Sequence, residues 1–211
     1  MTSSRQNGAC NAHAPLPASE CPHATDQFPP RTIWLTGLSG AGKSTLASHI
    51  VDRLRRAGRA CHVLDGDLLR EGLSNDLGFG RDDRREQVRR TAHVARILNE
   101  AGTIAVVALV SPYRADREMA RTIIGSNTMY EVWVSTPLDV CAARDPKGLY
   151  RRANDGVVPG MTGIASPYEP PEAGALRIDT SQLDILTCVQ RILGAIGLSG
   201  CANKDKEDAC R

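Results

Sequence analysis

The chain has 211 residues, 41% of them hydrophobic and 4% aromatic, and its 26 Lys and Arg nearly balance 24 Asp and Glu for a net charge of +2. That length suits one α/β domain with room for a tail, and the balanced charge argues against bulk nucleic-acid or membrane binding. The longest apolar run, Ile104–Val110, is far short of a membrane span, and seven cysteines in such a chain read as free thiols, so the expected location is cytoplasmic.

Residues 1–30 are rich in Ala, Pro, Ser, Asn and His and lack both a periodic apolar pattern and the apolar core of a signal peptide. A segment of that composition cannot bury enough surface to fold, so a disordered tail is expected there. Cys10-x-x-His13 and Cys21-x-His23 read either as metal ligands or as incidental groups in a tail, and their loose spacing favours the second.

At Ile33 the pattern changes. The run Ile33-Trp34-Leu35-Thr36 ends in Gly37-Leu38-Ser39-Gly40-Ala41-Gly42-Lys43-Ser44-Thr45, and a helix-like segment with Leu46, Ala47, Ile50, Val51 and Leu54 follows. Gly37, Gly42, Lys43 and Ser44 satisfy G-x-x-x-x-G-K-[ST] between a strand and a helix, the context in which that motif is a P-loop. Its glycines let successive N–H groups converge on phosphate oxygens, and the helix adds its positive end. Residues 37–45 are therefore read as the ATP site. Lys43 serves the β/γ-phosphates, and the hydroxyl of Ser44 or Thr45 can reach Mg2+.

A helix is expected over about 43–57, stopped by Gly58, and a buried strand over 60–64. The strand runs into Asp65-Gly66-Asp67, at the strand end where open α/β sheets place ligands. Two carboxylates there can hold magnesium and accept a proton from an attacking hydroxyl. Residues 67–80 read as a short helix and a loop in which Phe79 either stacks on a base or anchors the loop in the core. A long helix from Arg81 to about Glu100 buries Val88, Ala92, Ala95 and Leu98; its arginines are either a solvated face or an anion site.

Thr103–Val110 reads as a buried parallel strand leading to Ser111-Pro112-Tyr113-Arg114, again on the ligand side. Next come a helix over about 115–124, a strand over 129–134 and a short helix from Pro137 to Ala143. The segment 144–168 combines glycines and prolines with Arg144, Lys147, Arg151 and Arg152, and reads as a closing lid or as a surface loop. A last strand (175–178) and helix (181–196) precede a polar tail at 199–211, giving a domain over 31–198.

The collinear stretches Gly37–Thr45, Leu64–Leu73, Asp76–Phe79, Asp83-Arg84-x-Glu86, Ser111-Pro112-x-Arg114, Arg144–Tyr150, Thr162-Gly163-Ile164 and Pro167-Tyr168-Glu169 resemble the adenylyl-sulfate kinases. The resemblance covers about residues 31–180. It implies a three-layer P-loop fold with a mostly parallel sheet, and ATP-dependent phosphorylation of the 3′-hydroxyl of adenosine 5′-phosphosulfate. It implies Mg2+ held by Ser44 and Asp65, and catalysis by Lys43, Asp65 and Asp67 with Asp67 as the base. Arg144 is implied at the ATP adenine, and the acceptor is implied to meet Asp67, Arg70, Phe79, Arg84, Gln87, Ser111, Lys147, Leu149 and Met161. A homodimer and a sulfate adenylyltransferase partner are implied as well.

Four positions depart from the family pattern. Gly80 replaces a usual Ser, Gln87 an Asn, Met161 a base-stacking Phe and Ala165 an Asp. Two other readings stay open on these grounds: a P-loop kinase for another nucleotide or small alcohol, and a non-catalytic nucleotide-binding subunit.

Overall fold

Alternation along the central strands divides the core. In β1 (Thr32–Thr36) every residue is buried, with Ile33 and Leu35 in one apolar cluster and Trp34 in another. The first cluster joins them to α1 (Lys43–Arg56) and α7 (Ile185–Ala195), the second to α3 (Arg81–Glu100) and α4 (Arg114–Ile124). A sheet sandwiched between two helical layers results. It explains why its central strands read as unbroken apolar runs.

The computed structural model describes residues 31–157, 160–172 and 174–198. The remaining strands are β2 (Cys61–Asp65), β3 (Ile104–Ala108), β4 (Met129–Val134) and β5 (Leu176–Ile178). All pairings are parallel, in the order β2-β3-β1-β4-β5. The chain leaves β1 between β3 and β4, so the segment after β1 opens at the point where strand order reverses. Short helices α2 (Gly66–Glu71), α5 (Leu138–Arg144) and α6 (Leu149–Asn154) lie in the connections after β2 and β4.

The elements match the sequence expectations within a few residues, with three instructive differences. β3 stops at Ala108 rather than Val110, because Val110 gives its carbonyl to the Thr36 hydroxyl (2.8 Å) and Ser111 turns to φ +36°. α7 starts at Ile185, since the Asp184 carboxylate caps it by accepting from Thr187 N (2.9 Å). The segment 144–168 holds the helix α6, which composition had hidden; Asp145 Oδ1 and Oδ2 accept from Tyr150 N and Arg151 N at its start, both at 3.1 Å. The expected tails, with the Cys10/His13 and Cys21/His23 groups, lie outside the described residues.

Candidate active site

The turn after β1 is built for close approach. At Gly37 (φ +147°) a Cβ would lie 2.4 Å from the Val134 carbonyl oxygen, and at Gly40 (φ +75°) 2.7 Å from that of Cys141. Only glycine fits both the torsions and the space. Ala41 is fully buried and contributes through its backbone: its carbonyl accepts from the hydroxyls of Thr136 (3.1 Å) and Thr180 (2.9 Å). Tyr150, on α6, donates its hydroxyl to the Ser39 carbonyl at 2.9 Å. Leu38 packs against the core, while Ser39, Gly40, Gly42, Lys43, Ser44 and Thr45 line a cavity of about 790 Å³.

Lys43 is 8% exposed and donates to the carbonyls of Gly37 (2.9 Å) and Leu38 (2.7 Å). Burial lowers its pKa to about 8, against the pull of nearby Asp67 and Asp65. A phosphate chain on this loop favours the ammonium form, so bound nucleotide holds the proton to higher pH. ATP binding is therefore expected to take up a proton at pH 8.5, and affinity to fall as pH rises through 8. Calorimetry in two buffers of different ionisation enthalpy measures the uptake; equal heats would mean that Lys43 is fully charged in the free protein.

Asp65 does two jobs at the end of β2. Its Oδ1 caps α2 by accepting from Asp67 N (2.9 Å), and its Oδ2 accepts from the Ser44 hydroxyl (2.6 Å). Two oxygen donors of a hard-cation type thus meet at the P-loop. Among the described residues no group of three or more His, Cys, Asp or Glu could hold a metal ion. Gly66 separates the two carboxylates, and a Cβ there would come 2.5 Å from the movable Leu109 Cδ2. Asp67 lines the cavity and pairs with the Lys147 ammonium from the 144–168 segment.

The same cavity is lined by Arg70, Phe79, Arg84, Gln87, Ser111, Leu149 and Met161. Phe79 is 61% exposed, with the Arg70 guanidinium 4.4 Å from its ring centroid, which rules out a core anchor. Arg70 donates to the carbonyls of Leu77 (2.9 Å) and Gly78 (2.8 Å), and Arg84 to those of Phe79 (2.9 Å) and Gly160 (3.3 Å). Both arginines thus shape the loop around Phe79 and keep further N–H groups for an anion. The rest of the arginine run divides. Arg90 grips Asp76 and Glu86 and Arg89 grips Glu86, which holds the Glu86 carboxyl down at about 2. Gln87 is buried and donates to the Gly66 carbonyl at 2.8 Å. Met161 is 5% exposed and packs into the core beside the cavity. Arg144 is pinned on Thr180, donating to its hydroxyl (2.8 Å) and its carbonyl (3.0 Å).

Thr136 and Thr180 were absent from the sequence reading. Each follows the C-terminal end of a strand, β4 or β5, the rule that had singled out Asp65 and Ser111. Thr162 lines the cavity with a buried hydroxyl that has no protein partner.

Sheet order, glycine loop and buried lysine define a nucleotide-binding domain of the P-loop class. The sequence profile of the adenylylsulphate kinase family matches residues 29–179. An adenylyl-sulfate kinase of Shewanella denitrificans is 50% identical over 164 residues, 78% of this chain and 80% of that protein. One from Prochlorococcus marinus is 48% identical over 164 residues, 78% and 82% of the two chains. The structure of the Mycobacterium tuberculosis APS kinase CysC in complex with AMPPNP and APS aligns with a TM-score of 0.74 at 40% identity, covering 81% of this chain and 98% of that one. The chain belongs to the adenylylsulphate kinase family. Among the described residues no helix is long and apolar enough to cross a membrane.

Proposed function

We propose that this chain transfers the γ-phosphoryl group of ATP to the 3′-hydroxyl of adenosine 5′-phosphosulfate, giving 3′-phosphoadenosine 5′-phosphosulfate and ADP. The observation that carries this reading is the single 790 Å³ cavity, which joins the P-loop to the wall of Arg70, Phe79 and Arg84 and has Asp67 among its lining residues. The similar mycobacterial kinase with AMPPNP and APS supports it. Residues 37–45 and Lys43 hold the phosphate chain, and Arg144 lies at the ATP base. Ser44 and Asp65 hold Mg2+, which when bound neutralises charge on the phosphates.

The acceptor adenine stacks on Phe79, and the sulfate-bearing end meets the unused N–H groups of Arg70 and Arg84. Gln87, Ser111, Leu149 and Met161 complete its site. The acceptor oxygen forms a bond to the γ-phosphorus as the bond to ADP breaks, and the hydroxyl proton passes to Asp67. For that step Lys147 leaves Asp67 and turns to phosphate. The 144–168 segment acts as the lid that excludes water. A homodimer and a sulfate adenylyltransferase partner follow from the family resemblance, and a cytoplasmic location from the composition and cysteine usage of the sequence.

The test is ADP release with Mg-ATP, with and without adenosine 5′-phosphosulfate. Turnover that requires this acceptor is expected despite Gln87 and Met161. ATP binding with turnover on a different alcohol or nucleotide would move the acceptor assignment, and binding without turnover on any acceptor would leave a nucleotide-binding subunit.

A further inference from the structure

Arg117 contributes no wall to the cavity, yet it ties together the parts that shape one side of it. It lies on α4, is 2% exposed, and commits three sides of its guanidinium. Nε donates to Glu131 Oε1 on β4 (2.7 Å), Nη1 to the Ser111 carbonyl (2.8 Å) and Nη2 to the Glu169 carbonyl (2.8 Å). Its neighbours extend the junction. The Tyr168 ring lies 5.8 Å away, and the Tyr168 hydroxyl is 3.0 Å from that of Thr36 at the end of β1. Glu169 N donates to the Pro112 carbonyl (2.8 Å), and Arg114 N donates to Glu169 Oε2 (2.8 Å).

Ser111 sits at φ +36°, a left-handed conformation that a serine rarely takes unless its surroundings impose it. Three restraints are visible there: the Trp34 indole N–H on its hydroxyl (3.1 Å), and on its carbonyl Arg117 (2.8 Å) and, more weakly, the Thr36 hydroxyl (3.3 Å). We propose that Arg117 is a positioning residue for the reaction: one buried guanidinium fixes both the Ser111 turn of the acceptor wall and the Tyr168–Glu169 root of the lid. This rests on the kinase reading of the cavity. A planar fork can hold two carbonyls and a carboxylate at once, whereas a lysine ammonium at the same place cannot reproduce those directions. Glu131 supplies the counter-charge without touching Ser111 or Glu169.

Arg117→Lys is compared with Glu131→Gln for steady-state kinetics and amide exchange. In Arg117→Lys the KM for adenosine 5′-phosphosulfate is expected to rise about ten-fold or more while the ATP KM stays within about two-fold, since a small misplacement costs that much. Exchange at Glu169 N should accelerate. Glu131→Gln should lower thermal stability and leave the acceptor KM near that of the parent. The same change on a Ser111→Gly background supplies a second test, and Arg117→Gln, which keeps an N–H donor, takes the place of Arg117→Lys in both if the lysine variant does not fold. Glycine reaches φ +36° unaided, so the KM increment due to Arg117→Lys should shrink there. An Arg117→Lys protein with parental acceptor KM and parental Glu169 exchange overturns the proposal, as does an equal KM rise in Glu131→Gln. A parent without acceptor-dependent turnover defeats the kinase reading instead, and exchange at Glu169 still reports on Arg117.

Discussion

Lys43→Met lowers kcat by about 10²–10³-fold, the range for removing one preorganised donor from developing transition-state charge. The loss should come without unfolding. Lys43 is buried with its pKa lowered to about 8, so the fold already opposes its charge, and methionine keeps most of the aliphatic stem. Circular dichroism and a thermal melt check the fold, and ADP release with saturating acceptor checks kcat. A folded variant with parental kcat would remove Lys43 from the reaction.

The second large effect separates the two carboxylates. Asp67→Asn should lower kcat by about 10²–10⁴-fold, the usual contribution of a general base, with an unchanged Mg2+ requirement. Asp65→Asn should instead raise the Mg2+ concentration needed for the half-maximal rate. Asparagine is as good an N-cap as aspartate, so the bond from Asp67 N that starts α2 survives, and what is lost is the charge together with the oxygen that accepts from the Ser44 hydroxyl. Magnesium titrations of both variants decide the matter. Identical curves would sink the division of labour, whatever the size of the rate losses.

The division between what was readable in the sequence and what was not follows the range of the interactions. The P-loop was legible because its glycines, Lys43 and Ser44 act within one strand–turn–helix unit. Asp65 and Asp67 were legible because β2 ends at them on the ligand side of a parallel sheet. Phe79 was not, since loop spacing gives no exposure; only the folded loop stands it at 61% exposed against Arg70. The same holds for Arg70 and Arg84, whose bonds to the carbonyls of residues 77–79 depend on how the loop folds back, and for Arg84 to that of Gly160 on how two separated segments meet. Arg117 and Glu131 belong to no motif and drew no reading from the sequence; tertiary packing makes them a largely buried pair. α6 was missed because its N-cap is Gly148 and the carboxylate that holds its first turn, Asp145, stands further back among residues that read as loop.

The continuity of the cavity has a pharmacological consequence. The cavity of about 790 Å³ runs from the P-loop to Phe79, so on the proposed reaction a single compound with two adenosines joined by a phosphate chain would occupy both ends at once. Its second half then binds as an intramolecular event, at an effective concentration set by the linker. Such a tethered ligand should outcompete either nucleotide alone, and the chain length giving the tightest inhibition would serve as a molecular ruler for the path between donor and acceptor.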